Sequence, residues 1–188
     1  MFNYVVLIPG GFKPPTVAHY EMIRSYSEWP TVRSVHVVQT SHVREGYGPE
    51  CTKPVFEWYG GFNEKVSFIL DKDAKKGAVA KVHELVNDIR FTSQYATDTI
   101  YTLGVGNKGK DAKRIENFLK YYAKYPSKRP PGVRLGHPPF IYEVCIKSGQ
   151  EVSSTELRQA LREGDDVKVG SLIPRHRSPR NFPRNFSS

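Results

Sequence analysis

At 188 residues the chain can bury one substantial core but is short for two full domains, which usually run to roughly 100–200 residues each. Its longest apolar runs are about five residues against the roughly 20 that a membrane-spanning helix needs, and no charged segment leads into a long apolar one at the N-terminus, so a soluble, non-secreted, cytoplasmic protein is expected. A formal charge of +9 favours polyanionic partners, while Cys51 and Cys145, isolated from each other and from any histidine pair, argue against a disulfide framework and a zinc site.

In chain order, residues 4–8 are a β-branched and apolar run that stops at Pro9, Gly10 and Gly11, the pattern of a buried strand entering a tight turn. A helical periodicity follows from Thr16 to about Ser27, with Val17, Tyr20, Met22 and Ile23 near one face, and Trp29-Pro30 ends it. Residues 35–40 read as a second strand and 41–53 as a polar loop. Pro54 suits the first position of a helix running to about Leu70, with Gly60-Gly61 as a point of weakness.

Residues 81–86 fit a third strand or a short helix equally well. Residues 99–103 form the fourth strand and end in Gly104, Val105, Gly106 and Asn107. Asp111 then opens, or caps, a helix whose apolar face is Ile115, Phe118, Leu119 and Tyr122. A loop rich in Pro and Lys leads to a fifth strand at 140–146, and Ser153 begins the last clear helix.

Strands alternating with helices predict an α/β, Rossmann-like domain over residues 1–174, with a five-stranded, mostly parallel sheet and helices on both faces. Residues 175–188, with four arginines and no acid, read as a basic, mobile tail that leaves about +5 on the body. Sheets of this kind bind ligands beyond the carboxyl ends of their strands, where the Gly-rich turns fall.

The turn after the first strand has the makings of an anion site. Gly10 and Gly11 let the backbone approach a ligand, the helix start offers free N–H groups, Thr16 adds a hydroxyl, and His19 lies one turn further on. Gly10, Phe12, Pro14, Thr16 and His19 resemble, without a gap, the first signature of the nucleotidyltransferase superfamily that includes phosphopantetheine adenylyltransferase, nicotinamide mononucleotide adenylyltransferase and the cytidylyltransferases. Two positions depart from it: Lys13 stands for the usual Asp or Asn, and Ala18 for the glycine before the histidine. Lys13 either contacts phosphate or faces solvent.

Ser153 and Glu156 read as a capping box, but Ser153, Ser154 and Thr155 offer more hydroxyls than a cap needs, and Arg158 lies one turn along. Residues 152–158 are similar to the second signature of the same superfamily, Ile-Ser-Ser-Thr-x-Ile-Arg, and the likeness extends through residues 160–174. The Gly-Gly-Phe-Lys-Pro-Pro opening also resembles nucleotidyltransferases of tailed phages, which would place the protein in a host cytoplasm.

The resemblance implies transfer of AMP from ATP to a small phosphomonoester, with release of pyrophosphate and with Mg²⁺ arriving on the nucleotide. Nicotinamide mononucleotide is the leading acceptor, in the manner of NAD biosynthesis; phosphopantetheine as the acceptor of AMP, or a cytidylyltransferase activity, is the alternative. It implies His19, Thr16 and Arg158 as catalytic residues. Gly10, Gly11, Phe12, Lys13, Gly104, Gly106, Ser153, Ser154 and Thr155 would hold the nucleotide, with Arg44 and Lys53 near the acceptor. No residue is expected to ligate a metal of its own, and relatives often form homo-oligomers. A nucleic-acid-binding module is the other reading, from a pI near 9.5, eleven tyrosines and the Arg/Phe tail. Nucleic acid is the less expected partner, because most aromatics fall at core spacings.

Overall fold

Continuous apolar runs bounded by turn residues suit strands covered on both faces, and four such runs supply the sheet of the computed structural model, which describes residues 2–73, 76–106, 111–142, 152–184 and 186. Strands β1 (Asn3–Pro9), β2 (Val32–Thr40), β3 (Val66–Asp71), β4 (Thr99–Leu103) and the two-residue β5 (Arg134–Leu135) make a sheet in the order β3-β2-β1-β4-β5. Every pairing is parallel. The order reverses between β1 and β4, so the connections leaving these strands diverge and open a crevice at their carboxyl ends.

The α-helices are α1 (Val17–Glu28), α2 (Thr52–Tyr59), α3 (Ala78–Val86), α4 (Ile89–Thr92), α5 (Asp111–Lys124), α6 (Ser154–Glu163) and α7 (Asp166–Leu172). Alternation along β1 divides the core in two. Val6 and Ile8 pack with residues of α1, α2, α6 and α7, while Val5 and Leu7 pack with residues of α3, α4 and α5. The α/β Rossmann-like fold with helices on both faces is therefore as expected.

Its third strand is not where the sequence put it. The helix expected over residues 54–70 stops at Tyr59, because Gly60 and Gly61 both take positive φ (140° and 71°), and Val66–Asp71 becomes β3. Residues 81–86 fall within α3. The expected strand at 140–146 lies largely outside the described residues; Tyr142 makes an isolated parallel bridge to Gly106. Of the tail expected to be mobile, the described aromatics pack back on the body: Phe182 is 3% exposed, its ring edge-on to Trp58, and Phe186 lies against Tyr47. Among the described residues no helix is long and apolar enough to cross a membrane.

Candidate active site

The connection from β1 to α1 carries the first motif, and its backbone is held by side chains from two other segments, α2 and α6. Thr52 donates its hydroxyl to the carbonyl of Phe12 (3.0 Å), Arg158 donates Nη1 to Lys13 O (2.8 Å), Ser154 donates Oγ to Pro14 O (2.7 Å), and Tyr59 donates its phenol to Pro15 O (2.6 Å). Four consecutive carbonyls of an irregular loop are thus satisfied without water, at about 1 kcal/mol of net stabilisation each. Phe12 has φ 52°, an uncommon conformation for a non-glycine residue that persists where the surroundings hold it. Its ring is buried edge-on to His19, with centroids 4.9 Å apart, and lies so close to Gly10 that a Cβ there would meet it at 2.6 Å. Gly10 therefore makes room for Phe12, while a Cβ on Gly11 would meet nothing within 4 Å.

Thr16 is the N-cap of α1, with its hydroxyl accepting from His19 N at 3.5 Å. The cap is reciprocal, since the Thr16 N–H donates to His19 Nδ1 at 3.1 Å. A histidine here fills the place of the usual Glu or Gln of a capping box. Because Nδ1 accepts a backbone proton, the neutral imidazole carries its own proton on Nε2. His19 lines a cavity of about 140 Å³ together with Gly10, Gly11, Phe12, Gly104, Gly106, Asp111 and Arg114. That cavity lies at the carboxyl ends of β1 and β4, at the reversal of strand order.

Gly104 sits there for packing as well, since a Cβ would meet Val6 and Ile8 at 2.7 and 2.6 Å. The turn it begins is anchored by buried Tyr26, whose phenol donates within reach of Val105 O (3.0 Å) and Phe140 O (2.9 Å) and accepts from Val105 N (3.3 Å). Burial pushes the Tyr26 pKa up to about 12, so the phenol stays protonated at neutral pH. Asp111, read as a cap, is the first residue of α5; its carboxylate lies 3.8 Å from the Arg114 guanidinium, which also reaches Pro9 O at 3.5 Å. Arg114 is a cavity residue that sequence reasoning missed. Its signal was faint: a cation in the first turn of a helix that follows a Gly-rich strand end.

The second motif meets the first from the side. Ser153 caps α6, accepting from Glu156 N at 3.2 Å, but Glu156 turns its carboxylate to Lys168 at 2.8 Å, so the expected capping box is only half made. Thr155 is exposed and accepts from Arg158 Nη2 at 3.2 Å. Arg158 also donates Nε to Glu45 at 2.9 Å, and Arg162 reaches the other oxygen of that carboxylate at 3.3 Å. Glu45 and Gly46 have φ of 48° and 87° at the tip of a tight turn closed by two hydrogen bonds between Arg44 and Tyr47, the signature of a type I′ turn. A second cavity of about 210 Å³ is lined by Glu45, Tyr47, Arg158, Leu161, Arg162 and Arg184. In it the Glu45 carboxylate occupies the position an external anion would take between two guanidinium groups, and they hold its carboxyl below the ordinary glutamate range.

The expectation for Lys13 needs correction. Lys13 neither contacts solvent nor lines the cleft: it is 2% exposed, and its ammonium donates to Thr40 O at 2.9 Å, pinning the loop to the end of β2. Burial lowers its pKa, and the nearby positive charge of Arg44 acts in the same direction. Thr16 is fully buried and meets the cavity only through the His19 ring, which its N–H holds. Ser154 gives its hydroxyl to a loop carbonyl, while Arg158 divides its guanidinium among a loop carbonyl, Thr155 and Glu45 and lines the second cavity. Lys53 lines a third, apolar pocket with Phe56, Phe62 and Phe68, and Arg44 lies in the turn that presents Glu45.

Among the described residues no group of three or more His, Cys, Asp or Glu is arranged to hold a metal ion. No protein-family model and no curated protein sequence matches the chain.

Proposed function

We propose that the protein is a nucleotidyltransferase that transfers AMP from ATP to a small phosphomonoester, nicotinamide mononucleotide being the first acceptor to try. One observation carries this reading. His19, oriented by the Thr16 N–H and protonated on Nε2, lines the cavity at the start of α1 and at the reversal of strand order, where a polyphosphate is best received.

The reaction asks little covalent chemistry of the protein. The attacking phosphate oxygen is ionised at neutral pH, since the second pKa of a phosphomonoester is near 6. It forms a bond to the α-phosphorus as the bond to the β-phosphate oxygen breaks, and pyrophosphate leaves. Catalysis is then alignment and neutralisation of growing negative charge. His19 supplies an oriented donor, Arg114 a cation at the cleft, and the α1 start its N–H groups. Arg158 and Arg162 would receive the distal phosphates once Glu45 yields. Mg²⁺ fits as an ion carried by nucleotide oxygens and water, with Asp111, among the described residues, the one carboxylate that lines the His19 cavity.

The test is a pyrophosphate-release screen of ATP and CTP against nicotinamide mononucleotide, phosphopantetheine and glycerol 3-phosphate. Release that needs one acceptor and is lost in His19→Ala supports the proposal; no release with any pair overturns it.

A further inference from the structure

The two edges of the sheet are treated differently. Natural sheets blunt their edges with short strands, prolines, inward charges or bulges, because an open edge is a template for another chain. β5 is two residues long and so offers little template. β3 is six residues long, Val66-Ser67-Phe68-Ile69-Leu70-Asp71, contains neither proline nor lysine, and pairs with β2 over six residues in unbroken register. Its residues are half-buried or exposed throughout, with Leu70 43% exposed, where a strand of a parallel sheet is ordinarily covered.

The hydrogen-bonding direction of this edge follows from one contact. Val35 N donates to Lys65 O at 2.9 Å, so residues 65, 67 and 69 present their backbone groups to β2, and residues 66, 68 and 70 present theirs outward. Val66 N turns to Asn63 O at 3.2 Å, on the outer side. An added antiparallel strand must therefore bond to Phe68, to Leu70 and to the Val66 carbonyl, the Val66 N–H being already given to Asn63.

The flanks are charged in a self-complementary way: Glu64 and Lys65 precede the strand, Asp71 ends it and Lys72 follows. If a second copy pairs antiparallel about a two-fold axis through Phe68, the outward-facing residues match, Phe68 with Phe68 and Val66 with Leu70. The same register sets Lys65 opposite Asp71 and brings Glu64 toward Lys72, each twice by symmetry. A slip of one residue would pair outward groups with groups already committed to β2. The present partners do not prevent this. Lys65 Nζ makes a long contact of 3.4 Å to Trp29 O, and Asp71 accepts one bond from Asp73 N at 3.0 Å.

We infer that β3 is a homodimerisation edge, joining two copies of this chain antiparallel about Phe68 into one continuous ten-stranded sheet. The occupant is a second copy, because the charge pattern on either side of the strand complements itself. A six-residue ladder with the exposed Leu70 in it makes a small interface of the transient class, so the dimer should form at about 1–100 μM.

Sedimentation equilibrium of the full chain should give a mass rising from 21.4 kDa toward twice that value with concentration. Lys65→Asp and Asp71→Lys, both outside the hydrophobic core, should each weaken association at least about fivefold by setting like charges opposite one another. The double exchange should restore it. Phe68→Cys should cross-link to itself under mild oxidation, because a hydrogen-bonded antiparallel pair sets its Cα atoms about 5.5 Å apart, whereas Ile69→Cys should not. Circular dichroism checks that each variant keeps its fold. A constant 21.4 kDa up to 500 μM overturns the inference, as does association indifferent to both charge reversals; should Phe68→Cys fail to fold, the charge exchange decides alone. Cross-linking through Ile69→Cys instead would overturn the register.

Discussion

At the start of α1 the capping hydroxyl is buried and the imidazole one turn later folds back onto the cap, so the polar groups of the motif hold one another. At the start of α6 the cap is half-buried, and the side chains beyond it reach across to a different segment: Ser154 and Arg158 grip the carbonyls of Pro14 and Lys13, 140 and 145 residues away in sequence. One helix start therefore aims a ring at the cavity, and the other steadies the loop that the ring sits on. Two motifs that look alike as anion sites divide the labour between aiming and bracing.

The sharpest way to break that division is His19→Ala. Under the proposed function, losing an oriented donor at the α-phosphate should lower turnover about 10²–10³-fold, with nucleotide affinity falling less than tenfold. The lost half of the cap adds about 1 kcal/mol of destabilisation, read in a thermal melt. Turnover equal to wild type would remove His19 from the chemistry.

Arg158→Ala should act differently, on the loop and on nucleotide binding together. It strips a charged donor from the Lys13 carbonyl, costing about 1.5–3 kcal/mol in urea unfolding, and should raise the ATP KM about 10–100-fold with a smaller change in kcat. Arg158→Lys should recover little, since one ammonium cannot reach Glu45, Lys13 O and Thr155 at once as the fork does. A loss confined to kcat, with stability unchanged, would make Arg158 a direct participant in the chemistry and erase the contrast with His19. Thr16→Val comes next. It keeps the buried volume, removes the acceptor for His19 N and leaves the imidazole less well held, so about 1 kcal/mol of stability and about tenfold in kcat should go, with KM nearly constant.

The strands that end in glycine turns were legible because β-branched runs of residues 4–8, 35–40 and 99–103 have no competing helical period. β3 was not, since its short apolar run continued the periodicity begun at Pro54, and only the positive φ of Gly60 and Gly61 decides that the helix ends. The spacing of Thr16 and His19 was legible because capping and ring orientation are local, three residues apart. What Arg158 touches was not, because Glu45 lies 113 residues away and reaches it from a turn whose conformation depends on positive φ at two positions. Lys13 misled for a related reason: a lysine in a polar loop is ordinarily solvated, and its burial follows from the end of β2 offering the Thr40 carbonyl.

Glu45→Gln is the smallest of the expected effects and the one that tests whether the α6 side also receives phosphate. The amide keeps the length of the side chain and an acceptor for Arg158 or Arg162, but removes the charge with which a triphosphate must compete. The ATP KM should therefore fall about two- to fivefold at low salt, and the difference should shrink as ionic strength rises. Its pH dependence has a definite sign. The two guanidinium groups lower the folded-state pKa of Glu45 below 4.5, so the carboxylate contact is fully present above 4.5 and is lost as pH falls through the lowered value. Variant and wild type should then differ by the same factor across pH 5–8. An unchanged or raised KM in Glu45→Gln would mean that the carboxylate braces the arginines rather than holding an anion's place, leaving α6 a purely structural partner of the loop.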